Sequence, residues 1–282
     1  MRVVVTGARG LLGAAITHEF SRGHDVIDFD RSHLDVTDDK AVASTIGDRA
    51  PDLIVNCAAY NDVDGAQDDP GIALRTNAIA VLALSRAAAS AGATFVHFSS
   101  DFVFDGETDR PYTEDDRPNP ASVYAASKLL GDWLALESQR AYVLRVESLF
   151  GPTAAGRGRR GSLGTIVDGI RRGDEVRLFT DRVVSPSYTP DVARAARSLV
   201  ESRAPFGLYH CVNSGHARWT EIGAQAAALL GMPLRMCAVT LETAGLRAKR
   251  PRYCALSNAK LASAGIAMRS WQDALEDFLG TV

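Results

Sequence analysis

Short β-branched apolar runs alternate along the first half of the chain with longer stretches rich in Ala and Leu. Val3 to Val5 predicts a strand, about Leu12 to Ser21 a helix, His24 to Phe29 a strand and Asp38 to Ile46 a helix. The alternation continues through Leu53 to Cys57, a helix near Ile72 to Ala91, Thr94 to Phe98, a helix from about Val123 to Glu137, and Ala141 to Val146. Strands covered on both faces read as such continuous apolar runs, and their alternation with helices requires right-handed crossovers. The pattern predicts an α/β protein whose residues 1–150 form a Rossmann-like, doubly wound parallel sheet.

After Phe150 the pattern loosens, beginning with the Gly- and Arg-rich stretch from Gly151 to Gly164. Helices then predominate, with short strands near Val176 to Phe179 and Leu208 to Val212. Residues 151–282 are expected to form mainly a smaller C-terminal α/β substrate domain. One helix, about Thr189 to Glu201, is expected to return and cover the sheet.

Composition narrows the partners. With 46% hydrophobic residues, 23% charged residues and a net charge of −3, the chain resembles an ordinary soluble protein and offers no electrostatic case for nucleic acid or membrane. No apolar run reads as long enough to span a bilayer. The start shows no secretory pattern, and Cys57, Cys211, Cys237 and Cys254 have neither paired nor metal-site spacing, so a reducing cytoplasm and no metal are expected. A homodimer stays open.

Thr6-Gly7-Ala8-Arg9-Gly10-Leu11-Leu12-Gly13 follows the first strand and opens the first helix, the setting a dinucleotide-phosphate turn requires. Gly7 permits the tight turn, Gly10 lets the backbone approach a pyrophosphate, and Gly13 lets helix and strand pack closely. The helix N-terminus then faces the anion. Asp30, at the end of the second strand, is placed to accept from an adenosine ribose and argues for NAD. Arg31, helped by Arg9, is placed to pair with a 2′-phosphate and argues for NADP. The sequence thus allows NADP(H), NAD(H) or both. Asp35-Val36 has two readings, a hold on the adenine edge or a turn within Leu34-Asp35-Val36-Thr37-Asp38.

Tyr124 and Lys128, four residues apart in a predicted helix, share a face. An ammonium beside a phenol favours the phenolate, so Tyr124 is expected to have a lowered pKa and to exchange a proton with a carbonyl. Ser99-Ser100-Asp101 ends the preceding strand, at the carboxyl edge where doubly wound sheets bind ligands. Ser100 would hydrogen-bond a substrate carbonyl, whereas Ser99 reads as a turn or helix cap.

At this point the chain resembles the extended short-chain dehydrogenases/reductases, and within them the dTDP-4-dehydrorhamnose reductase family. The resemblance spans nearly the whole chain. It rests on the glycine turn, Leu34 to Asp38, Pro51 to Tyr60, Val63-Asp64, Asn77, Ser100 to Gly106, Tyr112 with Glu114-Asp115, Pro118-Asn119-Pro120, Val123-Tyr124 and Ser127-Lys128-Leu129. Further along, Ser185 to Asp191 and Lys249-Arg250-Pro251-Arg252 follow in the family's order.

The resemblance implies a nicotinamide-dependent oxidoreductase that reduces a nucleoside-diphosphate 4-keto-6-deoxy sugar by hydride transfer to C4. It implies Ser100, Tyr124 and Lys128 as the catalytic set, with Asp101 assisting. Cofactor contacts are expected from Gly7, Arg9, Gly10, Leu11, Leu12, Asp30, Arg31, Asp35, Val36, Ala58, Ala59, Tyr60, Asn77 and Ser99, with Tyr124 and Lys128. Substrate contacts are expected from Val63, Asp101, Phe102, Glu147, Ser148 and Arg250.

Three positions depart from the family pattern. Ser100 stands for the usual Thr and Phe102 for the usual Tyr. In Arg145-Val146-Glu147-Ser148-Leu149-Phe150-Gly151, Ser148 replaces a Trp that lines the sugar and Glu147 adds an acid. The resemblance therefore implies the reaction type rather than the particular hexose. Two basic clusters compete for a diphosphate, Arg157 with Arg159 and Arg160, and Arg247 with Lys249, Arg250 and Arg252; each also reads as a solvated surface segment. Two alternative functions stay open, a sugar-nucleotide epimerase and a non-catalytic cofactor-binding subunit similar to the methionine adenosyltransferase regulatory subunit.

Overall fold

The computed structural model describes residues 1–153 and 161–280. In chain order its first half carries β1 (Arg2–Thr6), α1 (Leu11–Phe20), β2 (Asp25–Phe29), α2 (Asp39–Arg49), β3 (Leu53–Asn56), α3 (Val63–Asp68) and α4 (Pro70–Leu74). A π-helical turn, Arg75–Ile79, leads into α5 (Ala80–Ser90), followed by β4 (Thr94–Ser100), a short 3-10 turn at Asp101–Val103, α6 (Val123–Ala135) and β5 (Ala141–Val146). The second half carries β6 (Leu149–Phe150), α7 (Gly161–Arg172), β7 (Val176–Phe179), β8 (Val183–Val184), β9 (Ser187–Tyr188), α8 (Thr189–Ser202) and β10 (Gly207–His210). It ends with β11 (Ala217–Arg218), α9 (Trp219–Leu230), β12 (Met236–Val239), α10 (Ala259–Ser263) and α11 (Trp271–Gly280).

Six strands form one sheet in the order β10-β5-β4-β3-β1-β2, and every pair in it is parallel. Successive side chains of a strand point to opposite faces. Val3 and Val5 accordingly pack with Ile16 and Phe20 of α1 and Leu199 of α8, while Val4 packs with Ile46 of α2 and Leu84 of α5. Both faces are covered, which is why the strands read as continuous apolar runs. The sheet takes its sixth strand from beyond residue 151, since β10 pairs with β5, although the apolar pattern placed this run in the second unit. Another core, including Phe150, Trp219 and Phe278, holds α7, α9 and α11 together.

One sequence expectation is corrected here. Pro70–Ser90 forms a continuous helical stretch of 21 residues, within which an 18-residue window has mean hydropathy 1.3, long and apolar enough by length and composition to cross a membrane. Its Val81, Leu84 and Ala88 pack against Ile54 and Phe95 of the sheet. The run is apolar because Ile, Leu, Val and Ala fill a helix that is pressed onto a core, and they outweigh Arg75 and Arg86.

Candidate active site

The order of the strands reverses between β1 and β3, and doubly wound sheets open a crevice at the carboxyl ends of such a pair. Gly7 lies there with φ +68°, a left-handed conformation costly for other residues. A Cβ on Gly7 would fall 2.6 Å from the Ala58 amide nitrogen, and one on Gly13 would fall 2.2 Å from the Gly7 carbonyl oxygen. The turn and the start of α1 thus pack without room for side chains. Gly7, Arg9 and Gly10 of the turn form one wall of a cleft of about 520 Å³ that also includes Asp30, Arg31, Val36 and Ala58. The cradle fits a dinucleotide: its glycines leave backbone open to a pyrophosphate and its rim carries two arginines.

A second chamber of about 460 Å³ shares Gly10, Cys57, Ala59 and Asn61 with this cleft. Its lining includes Ser100, Tyr124, Lys128, Glu147, Arg182 and Trp219. The Ser122 hydroxyl accepts from the Ala125 N–H and caps α6, which carries Tyr124 and Lys128 inward on one face. Lys128 Nζ donates to the Phe98 carbonyl oxygen at 2.7 Å. Burial pulls its pKa down to about 8 against the opposing fields of Asp132 and Cys57. The Tyr124 ring meets Phe102 edge to face at 5.6 Å.

Burial also dominates at Tyr124, but there it pushes the pKa up; the neighbouring Ser100 hydroxyl opposes this and Asp101 adds to it. This corrects the expected lowering. Removing the phenolate from water outweighs any help from Lys128, whose ammonium is held by a carbonyl, so Tyr124 remains an acid. Ser100, which lines the chamber, also takes the capping role expected of Ser99. Ser100 Oγ accepts from the Phe102 N–H, capping the 3-10 turn, and donates to Asp101 Oδ1 at 2.9 Å. Ser99, in β4, lies beside Asp132 instead.

Behind Ser100 lies a buried group of charged and thiol side chains. Asp101, Glu147 and Cys254 each present an atom within 4.8 Å of the others, and Arg182 Nη2 donates to Cys254 Sγ at 3.2 Å. Burial pushes Asp101 up to about 6 while Arg182 opposes the shift. It pushes Glu147 well above the carboxylate range, and Asp101 adds repulsion. The Ser185 N–H donates to Glu147 Oε2 at 2.6 Å. Two carboxyls this close favour a state in which Glu147 keeps its proton and Asp101 carries the charge beside Arg182.

Several expected contacts fall differently. Asp30 accepts from the Ser32 N–H, the Ser32 hydroxyl and the His33 N–H and pairs with Arg9; these bonds, led by the Ser32 hydroxyl, hold its pKa at about 2. It braces the loop and its arginine. Asp35 accepts from the Thr37 N–H and hydroxyl, the turn reading, while Val36 and Asp35 also line the cleft. Asn77 is pinned to the Tyr60 backbone and to Ser127 rather than set in the cleft wall. Arg250 donates to Asp64 at 2.6 Å and Arg247 pairs with Asp68, so these two arginines lock α3 and do not line the chamber. Val63, Phe102 and Ser148 do line it, as do Leu11 and Leu12. Arg157, Arg159 and Arg160 lie outside the described residues.

Sequence reasoning missed Arg182, Trp219, Asn61 and Cys57. Arg182 immediately precedes the apolar pair Val183-Val184 and the Ser185-Pro186-Ser187 run, and that was its available signal. Asn61 Oδ1 lies 3.5 Å from the Tyr124 hydroxyl; nothing in its local pattern marks it.

A family model described as RmlD substrate binding domain matches residues 1–282. The chain is 32% identical over 280 residues to the spore coat polysaccharide biosynthesis protein SpsK of Bacillus subtilis, covering 99% of this chain and 96% of that protein. It is 33% identical over 285 residues to dTDP-4-dehydrorhamnose reductase of Streptomyces griseus, covering 98% and 92%. The crystal structure of dTDP-4-dehydrorhamnose reductase from Bacillus anthracis in complex with NADP superimposes with a TM-score of 0.93 at 29% identity, covering 100% of this chain and 99% of the other. With a model matched from end to end, the dinucleotide cradle at the β1–β3 crevice and the Ser100, Tyr124, Lys128 chamber beside it belong to a member of the RmlD branch of the extended short-chain dehydrogenases/reductases.

Proposed function

We propose that the chain is an NAD(P)H-dependent reductase of a nucleoside-diphosphate 4-keto-6-deoxy sugar, similar to dTDP-4-dehydrorhamnose reductase. The observation that carries this reading is the chamber itself: Ser100, Tyr124 and Lys128 line one cavity that opens into the glycine-walled cleft. Residues 1–150, with α8 and β10, would hold the cofactor, and most of the remainder of 151–282 would hold the sugar nucleotide. The reaction belongs in the cytoplasm, where the four free cysteines stay reduced.

The nicotinamide supplies a hydride when bound. Gly7, Gly10 and the start of α1 would receive the pyrophosphate, and Arg9 with Arg31 a 2′-phosphate. Ser100 turns its hydroxyl from Asp101 to the carbonyl oxygen and steadies the growing negative charge. Tyr124, kept protonated by burial, gives that oxygen its phenolic proton. Lys128, fixed against the Phe98 carbonyl, stabilises the tyrosinate left behind.

The test is purified protein mixed with dTDP-4-keto-6-deoxyhexoses and NADPH or NADH. Net loss of reduced nicotinamide, abolished in Tyr124→Phe, is the expected result. Sugar conversion without net cofactor loss would mean epimerisation. Tight cofactor binding with no conversion of any keto-sugar would mean a regulatory subunit.

A further inference from the structure

Tyr124, Lys128 and Asp132 follow one another at intervals of four residues on α6, so they stack along one face of the helix, one turn apart. All three are buried, Lys128 at 2% and Asp132 at 1% exposure. Arg145 of β5 donates from Nε to Asp132 Oδ2 at 3.0 Å, with its guanidinium also 5.0 Å above the Phe104 ring. Among the described residues Asp132 Oδ1 meets no hydrogen-bond partner at bonding distance, with the Ser99 hydroxyl beside the carboxyl. An ion pair this dry is weak support for stability, because desolvating both charges offsets their attraction. Its position directly behind Lys128 is better explained by what it does to that residue.

The groups facing Lys128 come from three elements. Tyr124 and Asp132 share α6, His97 projects from β4, and Cys57 follows β3. Burial holds the His97 imidazole below its ordinary range and pushes the Cys57 thiol up, so both are neutral near pH 7. Around Asp132 stand Arg145, Ser99 and Lys128, with burial pushing the carboxyl up and Arg145 foremost in opposing it. His210 of β10 also feels Arg145 and is kept neutral by burial. Of these groups Asp132 is foremost in favouring the charged form of Lys128.

We propose that Asp132 is a positioning residue for the reaction: clamped by Arg145 one turn behind Lys128, its carboxylate keeps the Lys128 ammonium charged and seated against the Phe98 carbonyl. This goes beyond the Ser100, Tyr124, Lys128 set and rests on the reductase reading only for its kinetic arm. At a separation of roughly 6 Å and the effective dielectric of protein interiors, one full charge shifts a neighbour by about one to two pH units.

The test has two arms. Side-chain NMR of Lys128, assigned by the loss of its signal in Lys128→Met, gives the titration midpoint with NADP⁺ present and no sugar. The wild-type midpoint is expected near 8. Asp132→Asn should move it down by about one unit or more, and Asp132→Glu should restore it. Should Asp132→Asn not fold with Arg145 left unpaired, Asp132→Asn/Arg145→Gln, which leaves neither charge, carries the test and should show a fall in the same direction, smaller because a nearby cation goes with the carboxylate.

In the reductase assay the charged form is active, so activity is present below the midpoint and lost as pH rises through it. The alkaline limb should therefore move down with the NMR midpoint, about tenfold in activity per unit above it. An unmoved midpoint, or a uniform fall in kcat at every pH with the limb in place, overturns the proposal and leaves Asp132 a structural residue. Failure of the wild type to reduce any keto-sugar would overturn the reductase reading, while the NMR arm would still decide the role of Asp132.

Discussion

Gly131→Ala isolates how much of the proposed activity depends on the seating of α6. A Cβ at this position would stand 2.2 Å from the Asn77 carbonyl oxygen, where 3.4 Å begins ordinary contact. Asn77 cannot retreat, because its side chain is bonded to the Tyr60 backbone on one side and Ser127 on the other. The helix must therefore move by about 1 Å, and it carries Tyr124 and Lys128 with it. Ala exceeds Gly in helix propensity by about 1 kcal/mol, while overpacking in a rigid core costs about 1–3 kcal/mol. Stability should fall by up to about 2 kcal/mol, a drop in Tm of several degrees at this chain length. Catalysis should suffer more, since a misplacement of about 1 Å costs on the order of a hundredfold in rate. Thermal melting and steady-state kcat with saturating keto-sugar and NADPH measure both. A variant that melts lower but keeps kcat within about threefold of wild type would refute the reasoning, because α6 would then have absorbed the methyl without moving its catalytic face.

Arg31→Ala removes an almost fully exposed guanidinium at the cleft rim; the KM for NADPH should rise about tenfold while that for NADH stays put, and equal changes would deny Arg31 a 2′-phosphate role. Arg250→Ala breaks the bond to Asp64 and should lower Tm by a few degrees. A large rise in the sugar KM at unchanged Tm would instead place Arg250 on the substrate. Glu147→Gln should preserve stability near pH 6, because the amide oxygen can still accept from the Ser185 N–H. A carboxyl whose folded pKa is raised destabilises the fold as pH climbs from its unfolded value through the folded one, so denaturant titrations of the variant should lose that decline; an unchanged pH slope would mean that Glu147 is ionised in the fold.

What the sequence disclosed and what it withheld divide along physical lines. The glycine turn was legible because φ +68° at Gly7 and the missing Cβ at Gly13 are properties of single residues in a local setting. Tyr124 and Lys128 were legible because helical spacing alone sets their common face. Asp30 carries a local role that its position at the strand end does not announce: its Oδ1 accepts from Ser32 and His33, two and three residues on, while the residue still stands at the cleft, and turn bonding of that kind competes with a ligand. Trp219 was out of reach and Arg182 was signalled only by the run that follows it, because each enters the chamber by tertiary packing from a segment without catalytic pattern. The strand Gly207–His210 looks like any other apolar run, and nothing local tells which sheet will take it.

The titration behaviour of the site follows from one contest repeated at each residue. Burial raises Tyr124, Asp101, Glu147 and Asp132 and lowers Lys128, so every one of them is pushed toward its neutral form. The outcome then turns on who stands alongside. Lys128 has Asp132 behind it, Asp132 has Arg145, and Asp101 has Arg182; Glu147 has Asp101, a like charge, and yields its own. At Tyr124 the Ser100 hydroxyl alone opposes the shift, and the phenol stays an acid. A buried phenol that holds its proton until negative charge develops on a nearby oxygen is suited to reduction, where the proton must be delivered rather than removed. Geometry alone brings Ser100, Tyr124 and Lys128 together. The unequal partnering of buried charges sets which of these groups holds a proton at rest, and it involves Asp132, Arg145 and Arg182, none of which the Tyr-x-x-x-Lys pattern contains.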